Sequence, residues 1–161
     1  MSLSTFSSDF IDTALLQLGA SKIKVVSGKQ HVVDFDLEGA GKLTYVFTIT
    51  NEHRYYLQRV RPYPMVQGRF AGVEEIVAFI ARDARAFQAA RQSKNYQSFV
   101  DSTRDALALA GDLEQLFLAH NVSPKDLSAL REEFSRLRAL IHSMGDASPA
   151  VKAPAAFESD R

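Results

Sequence analysis

The residues in this chain best equipped for chemistry are arginines and tyrosines crowded into one stretch. It reads Arg54-Tyr55-Tyr56-Leu57-Gln58-Arg59-Val60-Arg61-Pro62-Tyr63-Pro64, with Arg69 a short way beyond. A guanidinium offers forked donors that match a carboxylate or phosphate, and a phenol ring holds a cation against its face. The same two side chains favour the centres of protein interfaces. Arg59, Arg61 and Arg69, with Tyr55, Tyr56 and Tyr63, are therefore the candidate residues for binding a partner or a small anion. Alternating register along the strand places Arg59 and Arg61 on the face that elsewhere is apolar. Either a bulge near Gln58 flips the phase, or pairing stops at the prolines and the arginines lie solvated on the sheet's rim.

Other chemistry is harder to find. The histidines, His31, His53, His120 and His142, have no metal-binding spacing with one another or with an acid. Asp34, Asp36 and Glu38 alternate along a strand and so share a face, as a hard-cation site would require. Lysines expected opposite them explain the same acids as cross-strand pairs. Gly39-Ala40-Gly41-Lys42 lacks the length and the following Ser or Thr of a phosphate loop, and reads as a hairpin turn. No Ser lies between glycines as a nucleophile. With no cysteine, disulfides, thiolate catalysis and the usual structural zinc sites drop out. Neither a cofactor nor a metal is expected.

The elements that would position these residues are legible from periodicity. Phe6, Phe10, Ala14 and Leu18 recur every fourth residue, which predicts a helix over 4–18 that covers one face of a sheet. The period then falls to two. Ile23 and Val25 mark a first strand, Val33, Phe35 and Leu37 a second, and Leu43, Tyr45, Phe47 and Ile49 a third. Tyr55 and Leu57 mark a fourth. If the odd-numbered apolar residues share one face, opposed residue numbers must sum to an even value. Three-residue turns at 28–30, 39–41 and 51–53 satisfy this. They set Lys24 opposite Asp34, Lys22 opposite Asp36 and Lys42 opposite Glu38. From Gly72 the pattern is helical: a stripe from Val73 to Phe87, a break at 93–95, and a second helix over 96–119. A third helix is capped by Ser123 with Pro124 in its first turn. Its apolar residues Leu127, Leu130, Phe134, Leu137, Ile141 and Met144 alternate three and four apart, a heptad pattern.

This order predicts an α+β fold: a four-stranded antiparallel meander packed by helices, followed by a C-terminal antiparallel helical hairpin. With 161 residues, one domain is expected over 1–145, with a sheet half (1–70) and a helical half (71–145). Residues 146–161, rich in Ala, Pro, Ser and charge, are expected to be a disordered tail. The 19 basic and 19 acidic residues cancel, which argues against nucleic acid as a partner. No membrane-spanning run or secretory leader is apparent, so the cytoplasm is the expected compartment. The leading functional expectation is a non-catalytic protein–protein interaction module or adaptor that associates with itself as a homodimer. Apolar residues outside the main stripes, such as Phe79, Leu109, Leu116 and Leu118, motivate it. The alternative is a binder of a small anionic ligand or nucleic-acid strand through the Arg/Tyr surface. An enzyme using a carboxylate and an arginine at the sheet edge ranks last.

Overall fold

Short turns between alternating strands build the sheet. The computed structural model describes residues 3–149. Strands β1 (Gly28–Asp36), β2 (Lys42–Thr50), β3 (Tyr55–Arg61) and β4 (Met65–Phe70) form one sheet in the order β1-β2-β3-β4. Each strand is antiparallel to the next, so the fold is an α+β meander followed by helices. Opposed pairs such as Val33–Tyr45, Phe35–Leu43 and Phe47–Leu57 keep the odd-numbered apolar residues on one face, as the parity argument requires.

The turns set that parity. Thr50 N–H donates to Arg54 O at 3.0 Å, closing the expected loop at 51–53. The first hairpin closes one residue earlier than expected, with Leu37 N–H donating to Gly41 O at 2.9 Å. Glu38, Gly39 and Gly41 there take φ of 43°, 87° and 91°, a conformation that costs glycine little. Lys42 therefore faces Asp36 rather than Glu38. It forms its ion pair with Asp34 at 3.3 Å, and Glu38 turns to Arg91 at 2.7 Å.

Two strand expectations are corrected. Residues 20–27 form no strand, although Ile23 and Val25 alternate. Alternation shows which face a residue would take, not whether the chain turns back to pair. Here the expected turn does not form: β1 begins at Gly28, inside it, and pairs with β2 over its whole length, while its outer edge carries no strand among the described residues. Lys22 and Lys24 thus have no strand opposite them, and Lys24 lies beside Glu52 at 3.5 Å. Conversely, pairing does not stop at the prolines: the segment after Pro64 is strand β4. Its alternation is hidden by a register shift opposite Leu57 and Gln58, next to Gly68 with φ of 108°.

Helix α2 (Val73–Ala90) closes the inner face with Ile76, Ile80, Ala84 and Phe87. The core they share includes Leu37, Leu43, Tyr45, Tyr55, Leu57 and Tyr63. Helix α3 (Tyr96–Ala119) adds only Tyr96 and Val100 to it. Two bonds fasten these helices to the sheet's turns: the Arg91–Glu38 pair, and Arg104 Nη2 donating to Pro62 O at 2.9 Å. Helix α4 (Pro124–Ala147) starts as expected, with Ser123 Oγ accepting from Asp126 N–H at 3.2 Å and Pro124 in the first turn.

The remaining helices depart from expectation. The described side chains of helix α1 (Leu3–Gln17) lie open rather than over a sheet face: Phe10 is 72% exposed, and Ile11, Leu15 and Leu16 are exposed with it. Helix α4 buries no residue, and Phe134, expected at the centre of a closed seam, is only half-buried. Helix α4 also runs past residue 145 to Ala147, while most of the expected tail lies outside the described residues. Among the described residues no helix is long and apolar enough to cross a membrane.

Because the inner face of the sheet carries the core, stability should divide sharply between the two faces. Leu57→Ala, at a residue 2% exposed, is expected to cost about 2–5 kcal/mol in urea unfolding. Val66→Ala, on the open face, should change stability by about 0.5 kcal/mol or less. Similar costs at both positions would contradict this division.

Candidate functional site

The structure separates the six candidate residues. Arg59 keeps the inward phase of its strand, opposite Tyr45, and is 4% exposed. The phase breaks only afterwards: the register with β2 shifts beyond this pair, and Arg61 lies opposite Thr44. Arg59 is thus neither flipped outward nor solvated.

Its burial is made tolerable by a counter-ion from α2. Arg59 Nη1 lies 2.8 Å from Asp83 Oδ2, and the same oxygen accepts from Tyr45 OH at 2.6 Å. The guanidinium is held between Tyr63 and Phe87, 4.6 Å from each ring centroid. Its Nη2 approaches Met65 Sδ at 3.5 Å, while its buried Nε has no hydrogen-bond partner. A cavity of 410 Å³ adjoins the cluster, lined in part by Phe79, Phe87 and Phe99. Burial, reinforced by the Asp83 carboxylate, pushes the Tyr45 phenol far above its ordinary range. Burial also raises the phenols of Tyr63 and Tyr96. The cluster is a neutralised pair wrapped in rings, and its charge is already spent on Asp83.

The other candidates lie elsewhere. Tyr55 is buried on the inner face between Ile49 and Phe70. Tyr56 faces outward with Arg69 above its ring at 5.4 Å, and both border an open groove of 430 Å³ with Gln30, Val46, Thr48 and Val66. Arg61 is exposed near Asp34. The Asp34 carboxyl is held below its usual range chiefly by Thr44 Oγ, which donates at 2.6 Å, and by Lys42. Of the strand acids, Asp36 accepts from Glu38 N–H at 2.8 Å, so Asp34, Asp36 and Glu38 each have a different partner.

Sequence reasoning missed Asp83, although a signal was present. Ile76, Ile80, Asp83 and Phe87 fall on one helical stripe, so the acid interrupts an apolar face. An acid out of place on a helix and an arginine out of place on a strand can answer one another.

A further set of apolar residues stays exposed among the described residues. Leu109, Leu116, Phe117 and Leu118 of α3 are exposed, as are Leu137, Leu140, Ile141 and Met144 of α4. Phe79, by contrast, packs against Phe70 at 5.4 Å beside the core. No protein-family model matches the chain, and no curated protein or solved structure resembles it significantly.

Two outcomes test the cluster. Asp83→Ala strands the Arg59 charge and is expected to cost about 3–5 kcal/mol, whereas Arg59→Met with Asp83→Leu should recover most of that loss. Additive losses in the double variant would mean that the two residues act independently. The second outcome concerns alkali. Folded phenols with raised pKa keep protons that the unfolded chain releases above its ordinary value of 10.0. Their stabilising contribution is therefore present below pH 10.0 and lost above it, at up to about 1.4 kcal/mol per pH unit for Tyr45, whose shift is the largest. Urea midpoints between pH 8 and 11 should fall steeply past 10, and less steeply in Tyr63→Phe. A flat profile would contradict the assignment.

Proposed function

We propose that this chain is a non-catalytic protein–protein interaction module that associates with itself, and that it works in the cytoplasm. One observation carries the reading: α4 is 24 residues long and buries none of them. A helix in water gains most of its stability by packing an amphipathic face, and marginal helices persist only when that face is covered. Among the described residues, apolar side chains stay exposed on α1, on the second half of α3 and on α4 from Leu137 onward. A partner that supplies the cover explains why the chain spends so many apolar residues there.

A second copy of the same chain fits that role. Equal numbers of acids and bases leave no net field to hold two copies apart. Symmetric dimers are also the commonest assemblies of soluble chains. The six arginines and tyrosines of the ligand-binding alternative are divided between the two faces of the sheet, which favours the self-association reading over it. The cytoplasm suits a chain without cysteine, since nothing in it depends on an oxidising compartment.

Sedimentation across the micromolar range should show a concentration-dependent dimer. A clean monomer at high micromolar concentration would falsify the reading.

A further inference from the structure

Helix α4 carries charges beside its apolar seam in an order that specifies how two copies meet. Assign Leu127, Phe134 and Ile141 to heptad position a, and Leu130, Leu137 and Met144 to d. Position e is then Arg131, Arg138 and Gly145, and position g is Asp126, Glu133 and Leu140. The charges on one flank are basic and those on the other acidic. The seam residues nearest the α3–α4 turn, Leu127, Leu130 and Phe134, are half-buried. Beyond them it opens: Leu137 is 47% exposed and Ile141 60%.

We infer that α4 is the self-association surface, and that it pairs with α4 of a second copy as a parallel two-stranded coiled coil. The inference rests on the self-association proposed above and names its site and geometry. In a parallel pair, each g residue lies beside the e residue of the partner's next heptad. Asp126 then meets Arg131 of the second copy, and Glu133 meets Arg138. The two-fold axis repeats both contacts with the copies exchanged, so one sequence satisfies itself. In an antiparallel pair, like flanks meet: Arg131 of one copy faces Arg138 of the other, and Glu133 faces the apolar Leu140. Charge order thus selects the second copy as occupant and selects its direction. Leu at two of the three d positions agrees with a two-stranded parallel form.

The charges are free to make these contacts. Glu133 pairs within its own helix with Arg136, and both side chains are more than half exposed, so little holds them there. Asp126 also accepts from Ser123 Oγ at 2.7 Å, which leaves its second oxygen for Arg131 of the partner copy. Glu133 with Arg138 is therefore the pair to test.

The chain has no cysteine, so a single introduced thiol reports its own neighbours. In the parallel pair, Met144 of each copy faces Met144 of the other, within the span a disulfide can bridge. In the antiparallel pair these positions are about 25 Å apart, and Met144 faces Leu127. Full-length Met144→Cys is expected to oxidise to a linked dimer about tenfold faster or more than Leu118→Cys, an exposed α3 position that sets the collisional background. Arg138→Glu should weaken dimerisation about tenfold, as should Glu133→Lys, and mixing the two should restore it. An antiparallel pair would instead be strengthened by Arg138→Glu, and would give mixed disulfides between Leu127→Cys and Met144→Cys chains. Either result overturns the inference. A wild-type dimer in which Met144→Cys links at the background rate assigns the dimer to another surface and overturns only this step. A wild-type monomer overturns the self-association reading as well.

Discussion

The join between sheet and helix depends on the Arg59–Asp83 pair. Each partner alone would be a charge in the wrong place, one on the apolar face of β3 and one on the apolar stripe of α2. Together they contact across 2.8 Å, share Tyr45, and sit against the rings of Tyr63 and Phe87. Leucine at both positions could supply comparable apolar contact. What the ion pair adds is position, because an Asp on α2 meets an Arg on β3 at one rotation and one translation of the helix. The apolar stripe by itself would tolerate sliding. The Arg91–Glu38 contact at the far end of α2 then limits the helix's tilt relative to the first hairpin.

Much of this could be read from the residues, and the errors share a cause. Parity placed Tyr45, Leu57 and Arg59 on one face, and the caps at Ser123 and Pro124 placed the start of α4. These are local rules, decided by the turn or the helix end itself. The strand expected at Ile23 and Val25 failed because residues 28–30 extend β1 along β2 instead of turning the chain back, which local alternation does not report. Strand β4 was hidden for another reason: a bulge beside Gly68 scrambles its period. The candidate residues are divided between the two faces for a related reason. Proximity in sequence put Arg59, Arg61, Tyr56 and Arg69 together, whereas the pleat sends neighbours to opposite faces. The partner of Arg59 lies 24 residues away, where only an acid in an apolar stripe betrays it.

The helices show a different limit of sequence reading. The heptad of α4 was legible, but a heptad does not say which helix it seeks. In the structure the seam is half-buried at Leu127, Leu130 and Phe134 and exposed from Leu137 onward. The flanking charges carry directional information that the apolar positions lack.

The sheet's strand order follows the chain, and the last residue of its core is Val100. All strand pairing is between sequence neighbours across tight turns, so little loop entropy is lost before contacts form. Chains fold from their N-terminal side as they are synthesised. The core can therefore assemble before α4 exists, and folding is decoupled from assembly. A single chain should reach its native state at a rate independent of concentration, and the proposed dimer would come apart without unfolding either half. Subunit exchange in it would be as fast as the helix seam allows, with a lifetime set by α4 alone and the sheet domain unaffected.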